Sequence, residues 1–383
     1  MSSLVVAKTV CCIITCHGAS AEHLATFTQH LSKSKNIEFQ IYASEHASQK
    51  FKDRGIEIKR SFSTDTEEQT ALAEQIAKVC SIASLVIVDV GDSFVLKVQK
   101  ALAPDVFCFA YYDNPEPYVP GGYSKVASQV MLAADGILFA NSKLPNTAIF
   151  EEPGKEIDFG SRKKIGIGYY PMDQAETIAK RRAKEHASMR QQFFLENDVI
   201  EEDQKVMVYF GGNNDVYFNQ AFPAFLSLLE EGILQSDLSH LIFVLQQHPQ
   251  AKGKNLDGNM VSDWLSRHGK SAHAPKIFIS KQSPNDIQVI ADGALYNQTS
   301  MGPQFIIGNI PTLHIGPAIF QDILVRDHLI SSITKVDEFL NAMKDLAQQK
   351  KEIPREVILE GLGIKENWPQ ILEAALLETA LKV

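Results

Sequence analysis

Residues 84–92 read SLVIVDVGD, an apolar run of strand length in which the polar residues come only at the ends. A strand with one wet face alternates apolar and polar positions. One this apolar is covered on both faces, which places it at the centre of a parallel sheet. The neighbouring segments agree. On the amino-terminal side, TVCCIITCHG (9–18) reads as strand and turn, AEHLATFTQHLSKS (21–34) as an amphipathic helix, IEFQIYAS (37–44) as the next strand and EEQTALAEQIAKVCSIA (67–83) as another helix. On the other side stand VFCFAYYDN (106–114), GGYSKVASQVMLAA (121–134) and DGILFANS (135–142), again strand, helix, strand. Such alternation makes a parallel sheet with right-handed crossovers.

The pattern breaks over residues 150–164, which are charged and carry Gly and Pro without periodicity. A basic, helix-prone stretch follows, DQAETIAKRRAKEHASMRQQFF (173–194), whose RRAK cluster reads as a solvated helix face, with phosphate contact as the alternative. The region around 150–195 is the expected join. Beyond it the same order restarts: KVMVYFGGNND (205–215), helix QAFPAFLSLLEEGI (220–233), HLIFVLQQHP (240–249), KIFIS (276–280), short helix NDIQVIA (285–291), GALYNQTS (293–300) and IPTLHIG (310–316). TKVDEFLNAMKDLAQQ (334–349) opens on Thr334 as a helix cap, and QILEAALLETALKV (370–383) is a last amphipathic helix. The expected fold is α/β, with two Rossmann-like, doubly wound parallel-sheet domains facing each other across a cleft. The first spans 1–165 and the second 166–368, and 369–383 forms a helix that crosses back to the first domain.

The chain has 383 residues, 45% of them apolar and 22% charged, in the range of ordinary globular domains. A net charge of −9 argues against nucleic acid as a general partner. The amino terminus lacks the charged n-region and small-residue cleavage site of a signal peptide, and no apolar run reaches the roughly 20 residues of a membrane span. Cys11, Cys12, Cys16, Cys80 and Cys108 sit in or beside apolar segments without CxxC spacing, which reads as reduced core thiols in a cytoplasmic protein. No HxH, HExxH or acidic cluster has metal-ligand spacing, so no metal is expected.

Open α/β sheets bind ligands at the carboxyl ends of their strands. The residues there are His17–Gly18, Asp89–Asp92, Asp113–Glu116, Gly211–Asn214, His248 and Thr299–Ser300, mostly small, polar or ionisable. Gly211 and Gly212 permit a tight turn with outward N–H groups, and Asn213 and Asn214 continue it. Pro249 stops its strand and displays His248. Thr299 and Ser300 suit either a diphosphate or a helix cap.

The order of these features, a GG loop after one strand, His-Pro after the next and Thr-Ser after the fourth, resembles the carboxyl-terminal domain of glycosyltransferases with the two-domain GT-B architecture. The His-Pro and Ser/Thr-Ser pairs look like the donor signature of bacterial sialyl- and polysialyltransferases and of CDP-glycerol transferases. That resemblance implies a metal-independent transfer of a sugar from a nucleotide-sugar co-substrate to an acceptor hydroxyl, with no further cofactor. His248, Thr299 and Ser300 would then hold the donor phosphates beside Gly211, Gly212, Asn213, Asn214 and Pro249. Where many such enzymes carry a ribose-binding Glu, this chain has Pro303-Gln304, which leaves Gln304 or Asp322 for that place. The acidic pair usual in sugar-nucleotide epimerases of the same fold is absent. An epimerase or hydrolase, or a silent nucleotide-sugar-binding protein, is the alternative. For the general base in the first domain, Asp113 is the first candidate and His17 the second, with Glu116 and the Asp89/Asp92 pair also placed.

Overall fold

The structure is a computed structural model, and it describes residues 8–34, 36–65, 67–119, 122–199, 203–249, 251–297, 299, 301–316, 322–347 and 353–382. The chain divides into two compact units: Met1–Tyr170 together with Gly363–Val383, and Pro171–Leu362.

The first unit holds β1 (Thr9–Thr15), β2 (Ile37–Ser44), β3 (Arg60–Phe62), β4 (Leu85–Asp89), β5 (Phe107–Tyr112), β6 (Gly136–Phe139), a small antiparallel hairpin of β7 (Phe150–Glu152) and β8 (Lys155–Glu156), and β9 (Lys163–Gly166). Seven of them form one parallel sheet in the order β3-β2-β1-β4-β5-β6-β9. β4 is buried along its whole length, and its side chains alternate between two cores. Val86 and Val88 join Ile76 and Phe94 on one face. Leu85 and Ile87 join Leu24 and Phe27 on the other. The five cysteines are free thiols, all of them buried.

Helix Trp368–Ala380 belongs to this unit, with Leu372 and Leu376 in the same core as Leu85 and Ile87. Trp368 packs against Phe27, His30 and Tyr169 with ring centroids 4.9–5.1 Å apart. The sequence puts the end of the first domain at residue 165, but β9 is the edge strand of its sheet and the unit runs to Tyr170. At its far end the second unit stops at Leu362 rather than 368. From Gly363 the chain is already tied to the first unit, through the bonds Ser142 N–H to Gly363 O (3.1 Å) and Lys365 N–H to Gly168 O (2.8 Å).

The second unit contains β10 (Lys205–Phe210), β11 (Leu241–Gln246), β12 (Lys276–Ile279), β13 (Gly293–Tyr296), β14 (Thr312–Ile315) and β15 (Ser332–Ile333), parallel in the order β12-β11-β10-β13-β14-β15. Both sheets therefore reverse direction beside their first strand, at β1/β4 and at β10/β13.

The helix-prone stretch after residue 172 is one helix, Met172–Glu196. Two of its arginines are engaged with a neighbouring helix rather than left to solvent. Arg182 Nη1 donates to the carbonyls of Gln288, Val289 and Ala291, closing the carboxyl end of helix Pro284–Ile290, while Arg181 binds Asp286 at 2.9 Å. Those carbonyls have no intrahelical donors, so the guanidinium satisfies groups that would otherwise be orphaned. Arg182→Ala is expected to cost about 2–3 kcal/mol, the worth of charge-assisted bonds to buried acceptors, read as a lower urea midpoint.

Candidate functional site

At the switch point of the first sheet, β1 ends at Thr15 and the chain turns through Cys16 and His17 into helix Gly18–Leu31. His17 keeps 40% of its side chain exposed, while Asp113, just past β5, keeps only 7%. His17 Nδ1 lies 3.8 Å from Asp113 Oδ2, an ion-pair distance rather than a hydrogen bond. Ser20 bridges the gap: its hydroxyl donates to Asp113 Oδ2 at 2.9 Å and lies 3.4 Å from His17 Nδ1. Because the Ser20 proton goes to the carboxylate, its lone pair faces Nδ1. That favours the tautomer protonated at Nδ1, with the lone pair on Nε2. Nε2 has no hydrogen-bond partner among the described residues. Tyr123 donates its phenol to Asp113 Oδ1.

The charges sort the two leading candidates. Burial pushes the Asp113 carboxyl upward, but the nearby His17 imidazole, the charge of His23 and the Tyr123 hydrogen bond outweigh it and hold the group at about 2. The adjacent Asp113 raises the His17 imidazole above its ordinary value against an opposing effect of burial, and Asp89 and Asp92 add to the rise. A carboxylate this acidic, with both oxygens occupied, is a poor proton acceptor. Of the two, Asp113 is therefore the weaker base, and His17 is the more exposed group, with the Asp113 carboxylate behind it. Glu116 is placed less directly, in a loop where its carbonyl accepts from Tyr112 OH at 2.7 Å and its N–H donates to Asn114 Oδ1 at 2.9 Å. Asp92 caps the next helix, Ser93–Ala101, by accepting from Phe94 N–H at 2.7 Å.

In the second unit, the candidate residues gather at the carboxyl ends of β10, β11 and β13. The glycine pair has a structural cause that the sequence hides. A β-carbon on Gly211 would lie 2.8 Å from Tyr217 Oη, and one on Gly212 would lie 2.8 Å from the Tyr217 ring. Tyr217 OH donates to the buried Asp257, which also accepts from Gln247 Nε2 at 2.7 Å. The Gly211 N–H, read from the sequence as an outward donor, is bonded to Gln246 O at 2.9 Å. Asn213 is exposed, and Asn214 accepts from Tyr217 N–H at 2.9 Å.

His248 is half-buried and its carbonyl closes the following turn by accepting from Ala251 and Lys252 N–H, while Pro249 stands exposed beside it. Burial lowers the His248 pKa, so the ring is neutral near pH 7. Thr299 accepts from Met301 N–H at 3.3 Å, and Ser300 lies outside the described residues. Gln304 is buried with its Nε2 unpartnered. Asp322 is buried too, and it caps helix Ile323–Arg326 while Tyr296 OH donates to its Oδ1 at 2.9 Å. That engagement leaves it little surface for a ribose. Sequence reasoning missed Ser20, Tyr123, Tyr217 and Asp257, whose contacts with Asp113 and with each other join residues 10 to 93 positions apart.

Among the described residues no group of three or more His, Cys, Asp or Glu is arranged to hold a metal ion, and no helix is long and apolar enough to cross a membrane.

No protein-family model matches the chain, and no curated protein matches it. Solved structures do. The UDP-GlcNAc 2-epimerase from Neisseria meningitidis bound to UDP-GlcNAc is 12% identical with a TM-score of 0.59, covering 98% of this chain and 100% of its own. The UDP-GlcNAc 2-epimerase from Methanocaldococcus jannaschii is 14% identical with a TM-score of 0.63, covering 96% and 99%. A glycosyltransferase from Rickettsia africae is 9% identical with a TM-score of 0.63, covering 98% and 100%. At these identities the likeness is one of fold: two parallel-sheet α/β domains of the GT-B-like kind.

Proposed function

We propose that this chain is an enzyme acting on a nucleotide sugar, with His17 moving a proton and the strand ends of the second unit holding the nucleotide. The observation that carries this reading is the His17–Ser20–Asp113 arrangement at the switch point of the first sheet, an accessible imidazole backed by a buried carboxylate. The first reaction to expect is epimerisation or hydrolysis of a UDP-sugar, because two of the three similar structures named above are UDP-GlcNAc 2-epimerases. Inverting the carbon beside the one that bears the nucleotide would remove its proton from one face as the C–H electron pair expels UDP from the neighbouring carbon, and return a proton to the other face as the bond to UDP re-forms. His17 Nε2 supplies one group. Asp92, half-buried and near enough for its charge to raise His17, supplies a second. Transfer to an acceptor hydroxyl is the second reading, favoured because it asks for a single supported base and His17 is one.

Incubation with UDP-GlcNAc in D2O, followed by proton NMR, separates them. An epimerase exchanges deuterium into the inverted carbon with no acceptor present. A transferase leaves the donor intact until an acceptor is added. A chain that neither binds nor alters any nucleotide sugar would sink both.

For the nucleotide, His248, Thr299 and Ser300 are the proposed phosphate ligands. His248→Ala and Thr299→Ala are each expected to weaken UDP binding by about 1–3 kcal/mol, read by thermal shift against a nucleotide panel. Unchanged affinity in both variants would remove these residues from the site.

A further inference from the structure

Asp89 ends β4 with none of its surface exposed. Its Oδ2 accepts from Thr15 Oγ1 at 2.6 Å, from Cys16 N–H at 2.6 Å and from His17 N–H at 2.8 Å. Its Oδ1 is buried without a partner. All three donors lie on the last residue of β1 and the two-residue turn that carries His17. β1 and β4 are neighbours in the sheet, so the carboxylate binds the turn from the adjacent strand. No helix N-terminal residue caps this turn, since the His17 side chain makes no cap bond. Without Asp89 the Cys16 and His17 N–H groups would be buried and unmet.

Gly91, two residues further on, acts on the same ring. A β-carbon there would fall 2.5 Å from His17 Cγ and 2.6 Å from its Cβ. β4 and its outlet therefore meet His17 in two ways, with a carboxylate at its backbone and an absent side chain against its ring.

We propose that Asp89 is a positioning residue for His17: it fixes the turn that carries the imidazole and sets a negative charge beneath it, while Gly91 leaves the ring its seat. This rests on the reading of His17 as the proton-transferring group. The ionisable groups around the imidazole are Asp113, Asp89, Asp92, Tyr123, whose ring centroid lies 6.0 Å away, His23, which feels its charge, and His46, which packs on Gly18. Burial raises Asp89 to about 6, partly offset by its three bonds.

The test is an NMR titration of the His17 imidazole in the full chain, with His17→Gln used for assignment. Asp89→Asn keeps the shape and one oxygen for the N–H donors but removes the charge. The His17 midpoint is expected to fall in that variant, and the acid limb of any turnover to move to lower pH with it. Gly91→Ala keeps Asp89 and is expected to change the His17 shift and lower turnover by displacing the ring. A folded Asp89→Asn that titrates at the wild-type midpoint overturns the proposal. If Asp89→Asn fails to fold, Gly91→Ala decides: a displaced His17 signal with lowered turnover supports the proposal, and wild-type shift and turnover overturn it. A shifted midpoint in a chain that turns over no nucleotide sugar would leave the positioning role standing and remove the catalytic reading of His17.

Discussion

His17→Gln lowers turnover by about 10²–10⁴, the usual worth of a positioned general base, while affinity for UDP stays at the wild-type level. The nucleotide is proposed to sit on the second unit, so removing an imidazole from the first should leave ground-state binding untouched and act on the chemical step. Because Asp113 raises the imidazole above its ordinary value, turnover should climb with pH through a midpoint above 6.5. Asp113→Asn removes that support and should move the limb to lower pH while retaining part of the activity. Steady-state kinetics across a pH series, set beside UDP titrations, checks both. Full turnover in His17→Gln would return the base to another residue, and loss of UDP binding would make His17 a nucleotide ligand.

Ending the chain at Leu362 is expected to abolish folding of the first unit. The truncation removes Trp368, Leu372 and Leu376 together, and Leu376 is fully buried. Single large-to-small changes at such positions cost about 2–5 kcal/mol. Three of them, allowing for incomplete additivity, approach the roughly 5–15 kcal/mol that holds a domain together. Leu376→Ala is the milder form, expected to fold with its melting transition lowered. Circular dichroism of the truncated chain should retain the signal of the second unit and lose that of the first. A truncation that melts like the full chain would show the helix to be a bystander.

The fold was legible because burial on two faces writes itself into composition. β4 and β10 could hardly be anything but central strands, and both lie at the switch points of their sheets. The strands that escaped, β3, β7, β8, β9 and β15, have 3, 3, 2, 4 and 2 residues and carry charged or polar residues rather than an apolar run, and helices Glu45–Lys52, Ser93–Ala101, Leu256–His268 and Arg355–Gly361 were passed over as well. The site was half legible. Strand ends pointed to a set of residues, but the contacts each of them makes depend on partners that the sequence does not show. Nothing near Asp113 in sequence says that Ser20, 93 positions away, binds one of its oxygens. The structural reason for Gly211 was equally hidden, since the Tyr217 hydroxyl that a β-carbon there would meet is recognisable only in three dimensions. Arg182 was misjudged because a helix face alone cannot reveal which carbonyls it meets.

The two ends of the chain build one unit, and that orders its birth on the ribosome. Ser34 Oγ donates to Glu373 across 339 positions at 2.6 Å, and the core that holds Leu85 and Ile87, covered in part by Leu24 and Phe27, is completed only when Leu372 and Leu376 arrive. At a synthesis rate of about 5–20 residues per second, the roughly 200 residues in between take on the order of 10–40 s. The contiguous second unit can close within that interval, but the first must wait with the part of its core that Leu372 and Leu376 fill still uncovered. A nascent chain stalled before residue 368 should therefore recruit holding chaperones through its oldest segment rather than its newest.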